Sequence, residues 1–110
     1  MKRMFNVLIV DDEFLARKLL TEYVSKIDYL NLVDTCSDAT KAMEVLNKEQ
    51  IDILLLDIQM PDISGIEMLK LFNNNKTAVI LTTAYSEYAV DAFSLGVIDY
   101  LLKPFDYARF

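Results

Sequence analysis

Aspartates directly follow two apolar runs of the sequence. Asp11 and Asp12 come after residues 5–10, and Asp57 comes after residues 51–56. Both runs have the composition of buried strands in a parallel sheet, where the carboxyl ends of neighbouring strands lie at one edge. We therefore expect the three carboxylates to meet. At about 5 Å and an effective dielectric constant near 20, each pair repels by about 3 kcal/mol, so the cluster needs a proton or a cation.

Hydroxyl and amine groups are predicted at the same edge. Thr82 and Thr83 end a fourth apolar run, and Lys103 directly follows a fifth. Carboxylate oxygens suit a hard cation, Mg²⁺ or alternatively Mn²⁺. A cation, an amine and a hydroxyl around one carboxylate describe a site that handles phosphoryl groups. The carboxylate can itself be the nucleophile, which would give an aspartyl phosphate.

Composition excludes several other kinds of chemistry. The 110 residues include 17 acidic and 11 basic residues, no histidine and a single cysteine, Cys36. The missing histidine excludes Ser–His and Cys–His catalysis and an imidazole metal site. One cysteine excludes an internal disulfide and a cysteine zinc site, and we expect Cys36 to be a small buried hydrophobic residue. The net charge of −6 argues against direct nucleic-acid binding by this chain.

Strands and helices in alternation must position these side chains. Apolar runs alternate with segments whose apolar residues recur at the 3.6-residue spacing of a helix. The strands are predicted at residues 5–10, 31–36, 51–56, 78–82 and 98–102. Ser37 or Asp38 would cap the second helix, and residues 64–67 match a capping box that opens the third. The prediction is one α/β domain over residues 1–110, a doubly wound five-stranded parallel sheet in the flavodoxin-like order 2-1-3-4-5.

The end of the chain and its targeting are predicted as well. Only residues 105–110 follow Pro104, little more than one helical turn, so we expect a fifth helix that is incomplete. No apolar stretch reaches the roughly 18 residues of a membrane span, and the residues after Met1 do not form a signal peptide. Together with the single cysteine, these features favour a cytoplasmic protein without membrane contact.

Four motifs in order give the chain a family resemblance. They are VLIVDDE, LDIQMPDISG, TTA and DYLLKPF, at residues 7–13, 56–65, 82–84 and 99–105. Together they resemble the receiver domains of response regulators, the CheY-like phosphoacceptor domains of two-component systems. The run TTAYSEYA, residues 82–89, is similar in particular to receivers attached to LytTR-type DNA-binding domains.

The resemblance implies a role for each matching residue of the site. Asp57 would accept a phosphoryl group from the phosphohistidine of a sensor histidine kinase. Asp12, Asp57 and the backbone carbonyl of Gln59 would ligate Mg²⁺, and Asp11 would act through a bound water. Lys103 would pair with the phosphoryl group.

The resemblance also implies a switch and an output. Thr83 would hydrogen-bond the phosphoryl group, and Tyr100 would turn inward when Thr83 moves. The peptide bond before Pro104 would be cis, and the side chains of Gln59 and Tyr85 would tune the lifetime of the phosphate. An output domain that binds DNA would lie outside this chain. Self-association would use the surface formed by the fourth helix, the fifth strand and the fifth helix.

Structural alternatives remain for several of these residues. Asp11 and Asp12 could form an acidic cap at a helix N-terminus, where the helix dipole favours negative charge. Thr82 is adjacent to Thr83 and points the opposite way in a strand, so only the resemblance selects Thr83. Tyr100 could be an ordinary strand residue with high β propensity.

Two other functions compete with a phosphoacceptor signalling domain. A Mg²⁺-dependent phosphatase or hydrolase would turn over an external substrate through an aspartyl phosphate. It would need a general acid where this chain has Gln59, whose amide cannot protonate a leaving group. A receiver used only for protein docking would be favoured by loss of Asp57, Lys103 or the acidic pair Asp11 and Asp12, and all are present. The expected role is therefore signalling, in which the domain assists only its own phosphorylation and dephosphorylation.

Overall fold

The computed structural model describes residues 4–58, 60, 64–65, 67–68, 77–83 and 99–102, and at residues 83 and 99–102 it describes the backbone only. The elements in chain order are β1 (Phe5–Val10), α1 (Phe14–Ser25), β2 (Leu30–Cys36), α2 (Ala39–Lys48), β3 (Ile53–Asp57), β4 (Ala78–Thr83) and β5 (Asp99–Leu102). All five predicted strands are present, and so are the first two predicted helices.

The strands form one parallel sheet in the order β2-β1-β3-β4-β5, which confirms the predicted topology. The switch in strand order lies between β1 and β3. From β1 the chain goes first to β2 on one side of β1, and then crosses over to β3 on the other side. At such a switch point the loops after the two strands diverge and leave a crevice at the carboxyl edge of the sheet. β1 ends at Val10 and β3 ends at Asp57, so the predicted acidic residues lie at this crevice.

Apolar side chains lie on both faces of the sheet, and those of β1 alternate between two clusters. Leu8 and Val10 of β1 belong to a cluster that includes apolar side chains of α2. Val7 and Ile9 leave β1 on the other face and join apolar side chains of α1. These four β1 side chains are at most 1% exposed. Full burial of a side chain of this size contributes about 1.5–3 kcal/mol, so packing on both faces fixes the strand that carries Asp11.

The third strand begins two residues later than the sequence predicts. Ile51 is buried, but the ladder between β1 and β3 starts at the pair Val7 and Ile53. The backbone N–H of Asn6 donates to the Asp52 side chain at 2.8 Å. The Asp52 carboxylate thereby takes the donor that a longer strand would use, which explains the later start.

Two strands, β3 and β4, end one residue later than predicted. Asp57 is the last residue of β3 because it pairs with Thr82, and Thr83 is the last residue of β4 because it pairs with Leu102. At the other end of the sheet, β2 starts one residue early because Leu30 pairs with Phe5 of β1. The predicted start of the fifth strand, residue 98, lies outside the described residues.

Side-chain caps start two of the helices. The Asp38 carboxylate accepts a hydrogen bond from the Lys41 backbone N–H at 2.8 Å, so Asp38 and not Ser37 caps α2. The Ser64 hydroxyl accepts from the Glu67 backbone N–H at 3.1 Å, which confirms the predicted start of the third helix. The later turns of that helix and the fourth and fifth helices lie outside the described residues. Within the described part of the chain, no helix has the length and apolar composition needed to span a membrane.

Candidate metal centre

Four carboxylates converge at the crevice between β1 and β3. One oxygen from each of Asp11, Asp12, Glu13 and Asp57 lies within 4.8 Å of the others. Asp11 and Asp57 are buried, whereas Asp12 and Glu13 are exposed. Such a group of negative charges repels itself, and its donor set consists of oxygen alone. Both properties fit a hard divalent cation such as Mg²⁺, which takes carboxylate and water ligands.

Backbone hydrogen bonds hold Asp11 in place after β1. Its N–H donates to the carbonyl of Cys36 at 3.0 Å, which continues the pairing with β2 by one residue. Its side-chain Oδ1 accepts from the Glu13 N–H at 3.0 Å, and its backbone carbonyl accepts from Arg17 Nη1 at 2.8 Å. The turn between β1 and α1 is therefore fixed by contacts to the strand, the turn and the helix.

The alternative interpretation of Asp11 and Asp12 as helix caps is not what the structure shows. The N-cap residue of α1 is Glu13, and the helix itself begins at Phe14. Asp11 and Asp12 both precede the cap, and the carboxylates of both point into the acidic cluster. Their position thus agrees with the metal-site prediction.

Glu13 is a residue of this cluster that the sequence predictions missed. Its side chain makes no capping hydrogen bond although it occupies the N-cap position. Glutamate is also absent from the residues that commonly cap helices through their side chains. A glutamate directly after the acidic pair, at a position where it is a poor helix cap, could have indicated that its carboxylate joins the cluster.

Gly65 makes a close contact with the backbone of Asp57 and Ile58. The Gly65 N–H donates to the Ile58 carbonyl at 2.8 Å, so the third helix starts against the residue after Asp57. A Cβ atom at position 65 would collide with the backbone carbonyl oxygen of Asp57 and lie 3.0 Å from the Ile58 Cα. Only glycine allows this approach, which links the start of the third helix to the position of Asp57.

The two threonines at the end of β4 have different surroundings. Thr82 pairs with Asp57 across the sheet, and the Ile58 N–H donates to its carbonyl at 3.2 Å. Its side chain is 1% exposed, and its hydroxyl has no hydrogen-bond partner in the described structure. Thr83 pairs with Leu102, and its side chain lies outside the described residues. The expected role of Thr83 therefore stays a prediction.

Other predicted site residues also stay predictions. The backbone of Tyr100 pairs with Leu81 in the sheet, but its side chain lies outside the described residues. Gln59, Tyr85, Lys103 and Pro104 lie outside them entirely. The end of β5 at Leu102 nevertheless brings the chain to the same carboxyl edge of the sheet one residue before Lys103.

Cys36 behaves as the sequence predicts, as a small buried hydrophobic residue. It is 1% exposed and belongs to the cluster between the sheet and α2. Burial raises the pKa of its thiol from 9.0 to about 11, and the negative charge of Asp34 adds to the increase. Its thiolate is therefore scarce at neutral pH, and the chemistry of the site belongs to the carboxylates.

Comparison with known sequences supports the family suggested by the motifs. A family model described as the response regulator receiver domain matches residues 7–110. The transcriptional regulatory protein BtsR of Escherichia coli K12 is 43% identical over 107 residues, which cover 96% of this chain and 45% of BtsR. An uncharacterized response regulatory protein of Yersinia pestis is 41% identical with the same coverage. The chain thus spans less than half the length of these relatives.

Solved structures show the same architecture. The response regulatory domain of protein mrkE from Klebsiella pneumoniae superposes with a TM-score of 0.89 at 31% identity, covering 96% of this chain and 88% of that one. CheY of Borrelia burgdorferi, solved in a CheX–CheY complex with BeF3 and Mg²⁺, gives 0.84 at 35% identity and covers 96% and 82%. This confirms the predicted CheY-like, flavodoxin-like fold.

Proposed function

The chain belongs to the response regulator receiver domain family of two-component systems, and from that premise we propose that Asp57 is its phosphoacceptor, loaded by a sensor histidine kinase. One observation carries the proposal. The buried carboxylate of Asp57 lies at the end of β3, in a cluster with the carboxylates of Asp11, Asp12 and Glu13. A buried carboxylate at an acidic crevice is suited to be a nucleophile once a cation offsets the surrounding charge.

Mg²⁺, or Mn²⁺ in its place, is the cation that we propose for this crevice. Asp12 and Asp57 would be direct ligands, together with the backbone carbonyl of Gln59, and Asp11 would act through water. When bound, the cation would offset the charge of the carboxylates and of the incoming phosphoryl oxygens. The oxygen-only donor set supports this assignment. The similar CheY of Borrelia burgdorferi, solved with BeF3 and Mg²⁺, supports it as well.

The proposed transfer step forms one bond and breaks another. A carboxylate oxygen of Asp57 attacks the phosphorus atom of the kinase phosphohistidine. The P–N bond breaks, and its electron pair stays on the imidazole nitrogen. Lys103 and Thr83 would then bind oxygens of the new phosphoryl group, as a point charge and as a hydroxyl donor.

The switch follows from the charge that phosphorylation adds. A phosphoryl group brings about −1.5 to −2 units of charge and three acceptor oxygens. Movement of Thr83 toward these oxygens would free space for Tyr100 to turn inward. The domain would then have two states, which differ in the positions of Thr83 and Tyr100. Phosphorylation can shift the population between them only as far as the phosphoryl group interacts more favourably with one state than with the other.

The downstream output is proposed to lie outside this chain. The relatives are transcriptional and response regulators of which this chain covers 45%, so we propose a cytoplasmic transcription regulator with a LytTR-type DNA-binding domain. Activated receivers would associate through the surface of the fourth helix, β5 and the fifth helix. DNA would be contacted only by the output domain, which agrees with the acidic net charge of −6 of this chain.

One experiment separates this function from its competitors. The protein is incubated with Mg²⁺ and acetyl phosphate, its intact mass is measured, and free phosphate is assayed. We expect one phosphoryl group per chain, lost in Asp57→Asn and when Mg²⁺ is chelated. Steady release of phosphate without an adduct in a rapid-quench series would indicate a phosphatase instead. Neither adduct nor turnover would indicate a docking module.

A further inference from the structure

Thr82 carries a buried hydroxyl for which the described structure offers no hydrogen bond. The side chain is 1% exposed, and Oγ1 has no hydrogen-bond partner in the described structure. Thr77, another buried threonine among the described residues, donates its hydroxyl to the Ile51 carbonyl at 2.7 Å. Buried hydroxyls are nearly always paired, because leaving one unsatisfied is costly. A valine would fill the same volume at position 82 without that cost.

The sheet register gives this hydroxyl a specific neighbour. Thr82 of β4 is the Cα partner of Asp57 of β3. Neighbouring parallel strands are about 4.8 Å apart, and paired residues direct their side chains to the same face. The bond from the Ile58 N–H to the Thr82 carbonyl, 3.2 Å long, fixes the pair at the strand ends.

Alternation along the strands identifies the shared face. Leu55 and Ile80 precede Asp57 and Thr82 by two residues. Leu55 belongs to the cluster that packs under α1, and Ile80 packs against that cluster. Asp57 and Thr82 therefore follow on that same face, above an apolar layer. In the rotamer that the structure shows, the Thr82 hydroxyl has no partner. A bond to the Asp57 carboxyl group therefore requires rotation about χ1 to another of its three staggered positions, which differ by about 120°.

We propose that Thr82 is a second hydroxyl donor of the site, and that its Oγ–H donates to the carboxyl group of Asp57. The inference rests on the proposed function, because the bond matters most when the aspartyl phosphate is hydrolysed. It is separate from the role of Thr83, which would bind the phosphoryl oxygens and not the carboxyl group.

The hydrolysis step shows what such a donor does. A water oxygen attacks phosphorus, the bond between phosphorus and the Asp57 oxygen breaks, and its electron pair returns to the carboxylate. The water loses a proton to solvent, and inorganic phosphate leaves. Before the step the acyl carbonyl of Asp57 is neutral, as part of a mixed anhydride with phosphate, and after it the carboxylate is an anion. A hydrogen bond to an anion is stronger than one to a neutral carbonyl, so the Thr82 hydroxyl stabilises the leaving group and shortens the phosphate lifetime.

The test compares phosphate lifetimes in matched variants. Wild type, Thr82→Val, Thr82→Ala and Thr82→Ser are loaded with acetyl phosphate and Mg²⁺, desalted into Mg²⁺ buffer, and followed by intact mass. Thr82→Val keeps the shape and loses the hydroxyl, while Thr82→Ser keeps the hydroxyl. Thr77→Val removes a buried hydroxyl far from the site and serves as a control for general loosening.

We expect the lifetime to lengthen about fivefold in Thr82→Val and in Thr82→Ala, which corresponds to about 1 kcal/mol in the barrier. Thr82→Ser and Thr77→Val should stay near the wild-type lifetime. An unchanged lifetime in Thr82→Val would overturn the inference and leave the proposed function intact. A shortened lifetime would overturn it too, because the hydroxyl would then bind the phosphoryl group. A wild-type protein that takes no phosphoryl group would defeat both proposals.

Discussion

Gly65 packs so closely on Asp57 that a Cβ atom at position 65 would collide with the backbone carbonyl oxygen of the aspartate. The contact joins the end of β3 to the start of the third helix. The Gly65 N–H also donates to the Ile58 carbonyl at 2.8 Å, so the approach is held by a hydrogen bond as well as by shape.

Replacing this glycine should damage both the site and the fold. Gly65→Ala must push the helix start away from Asp57, and we expect a loss of about 1–3 kcal/mol in the free energy of unfolding. Phosphoryl uptake should slow at least tenfold, because a displacement of about 1 Å disturbs a reacting group strongly. Urea denaturation and the rate of adduct formation measure the two effects.

Ser64→Ala is the matched control for this variant. It removes the hydroxyl that accepts from the Glu67 N–H at 3.1 Å, and should cost about 1 kcal/mol in the free energy of unfolding. Its uptake rate should stay close to wild type, since the Ser64 hydroxyl serves the cap of the same helix. Equal rates for Gly65→Ala and wild type would refute the positioning role of Gly65.

The exposed carboxylate of Glu13 should contribute to cation binding by its charge. Glu13→Gln removes one negative charge from the cluster, and we expect Mg²⁺ affinity to fall about threefold, less at high ionic strength. Asp12→Asn removes a proposed ligand and should lower the affinity tenfold or more. Titration calorimetry at two salt concentrations measures both.

Glu22→Gln controls for the change in net charge, because Glu22 lies on the same helix about 13 Å further along its axis. It should leave Mg²⁺ affinity unchanged. If Glu13→Gln and Glu22→Gln behaved alike, Glu13 would have no part in the site.

The first turns of α1 present apolar side chains next to the acidic crevice. Phe14 and Leu15 are 67% and 75% exposed, and Leu19 lies one turn further at 40%. Because this surface lies beside Asp57, we expect a kinase that delivers a phosphohistidine to contact it. Leu15→Ala should therefore slow transfer from a phosphorylated histidine kinase about tenfold, as loss of a well-buried interface contact does.

Acetyl phosphate supplies the control reaction, because it needs no protein surface and should load Leu15→Ala at the wild-type rate. Met4→Ala provides a matched variant, since Met4 is exposed before β1, at the opposite end of the sheet. A Leu15→Ala protein with normal transfer from the kinase would exclude this helix as the contact surface.

The buried thiol of Cys36 should make stability depend on pH in the alkaline range. Its pKa is raised from 9.0 to about 11, mainly by burial, so the unfolded chain loses this proton first as pH rises. The free energy of unfolding should be unaffected below about pH 9 and should fall between pH 9 and 11. Denaturation of the wild-type chain and of Cys36→Ala across this range isolates the contribution. Parallel curves for the two proteins would contradict the assignment.

Much of the fold follows from local sequence, and the strand ends show where local sequence stops being sufficient. The strands were predictable because runs such as residues 53–56 are apolar on both faces, as central parallel strands must be. The late start of β3 depends on the hydrogen bond from the Asn6 N–H to the Asp52 side chain, between residues 46 positions apart. Spacing along one strand contains no information about such a partner.

In the candidate site, too, some residues could be predicted from local sequence, and others depend on contacts between elements. Asp11, Asp12 and Asp57 were predictable because they end strands that topology brings together. Glu13 was missed because an acid at the start of a helix has an ordinary explanation in the helix dipole. The close contact of Gly65 and the buried hydroxyl of Thr82 depend on distances between elements, which spacing in the sequence does not give.

Identifying the modified residue tests the central proposal most directly. The protein is loaded with acetyl phosphate and Mg²⁺, and borohydride is added, which reduces an acyl phosphate to an alcohol and converts aspartate to homoserine. Peptide mass spectrometry then locates the converted residue. The account predicts conversion at Asp57 and no conversion when Mg²⁺ is chelated. Conversion at Asp11 or Asp12, or at no residue of a protein that has gained a phosphoryl group, would contradict it.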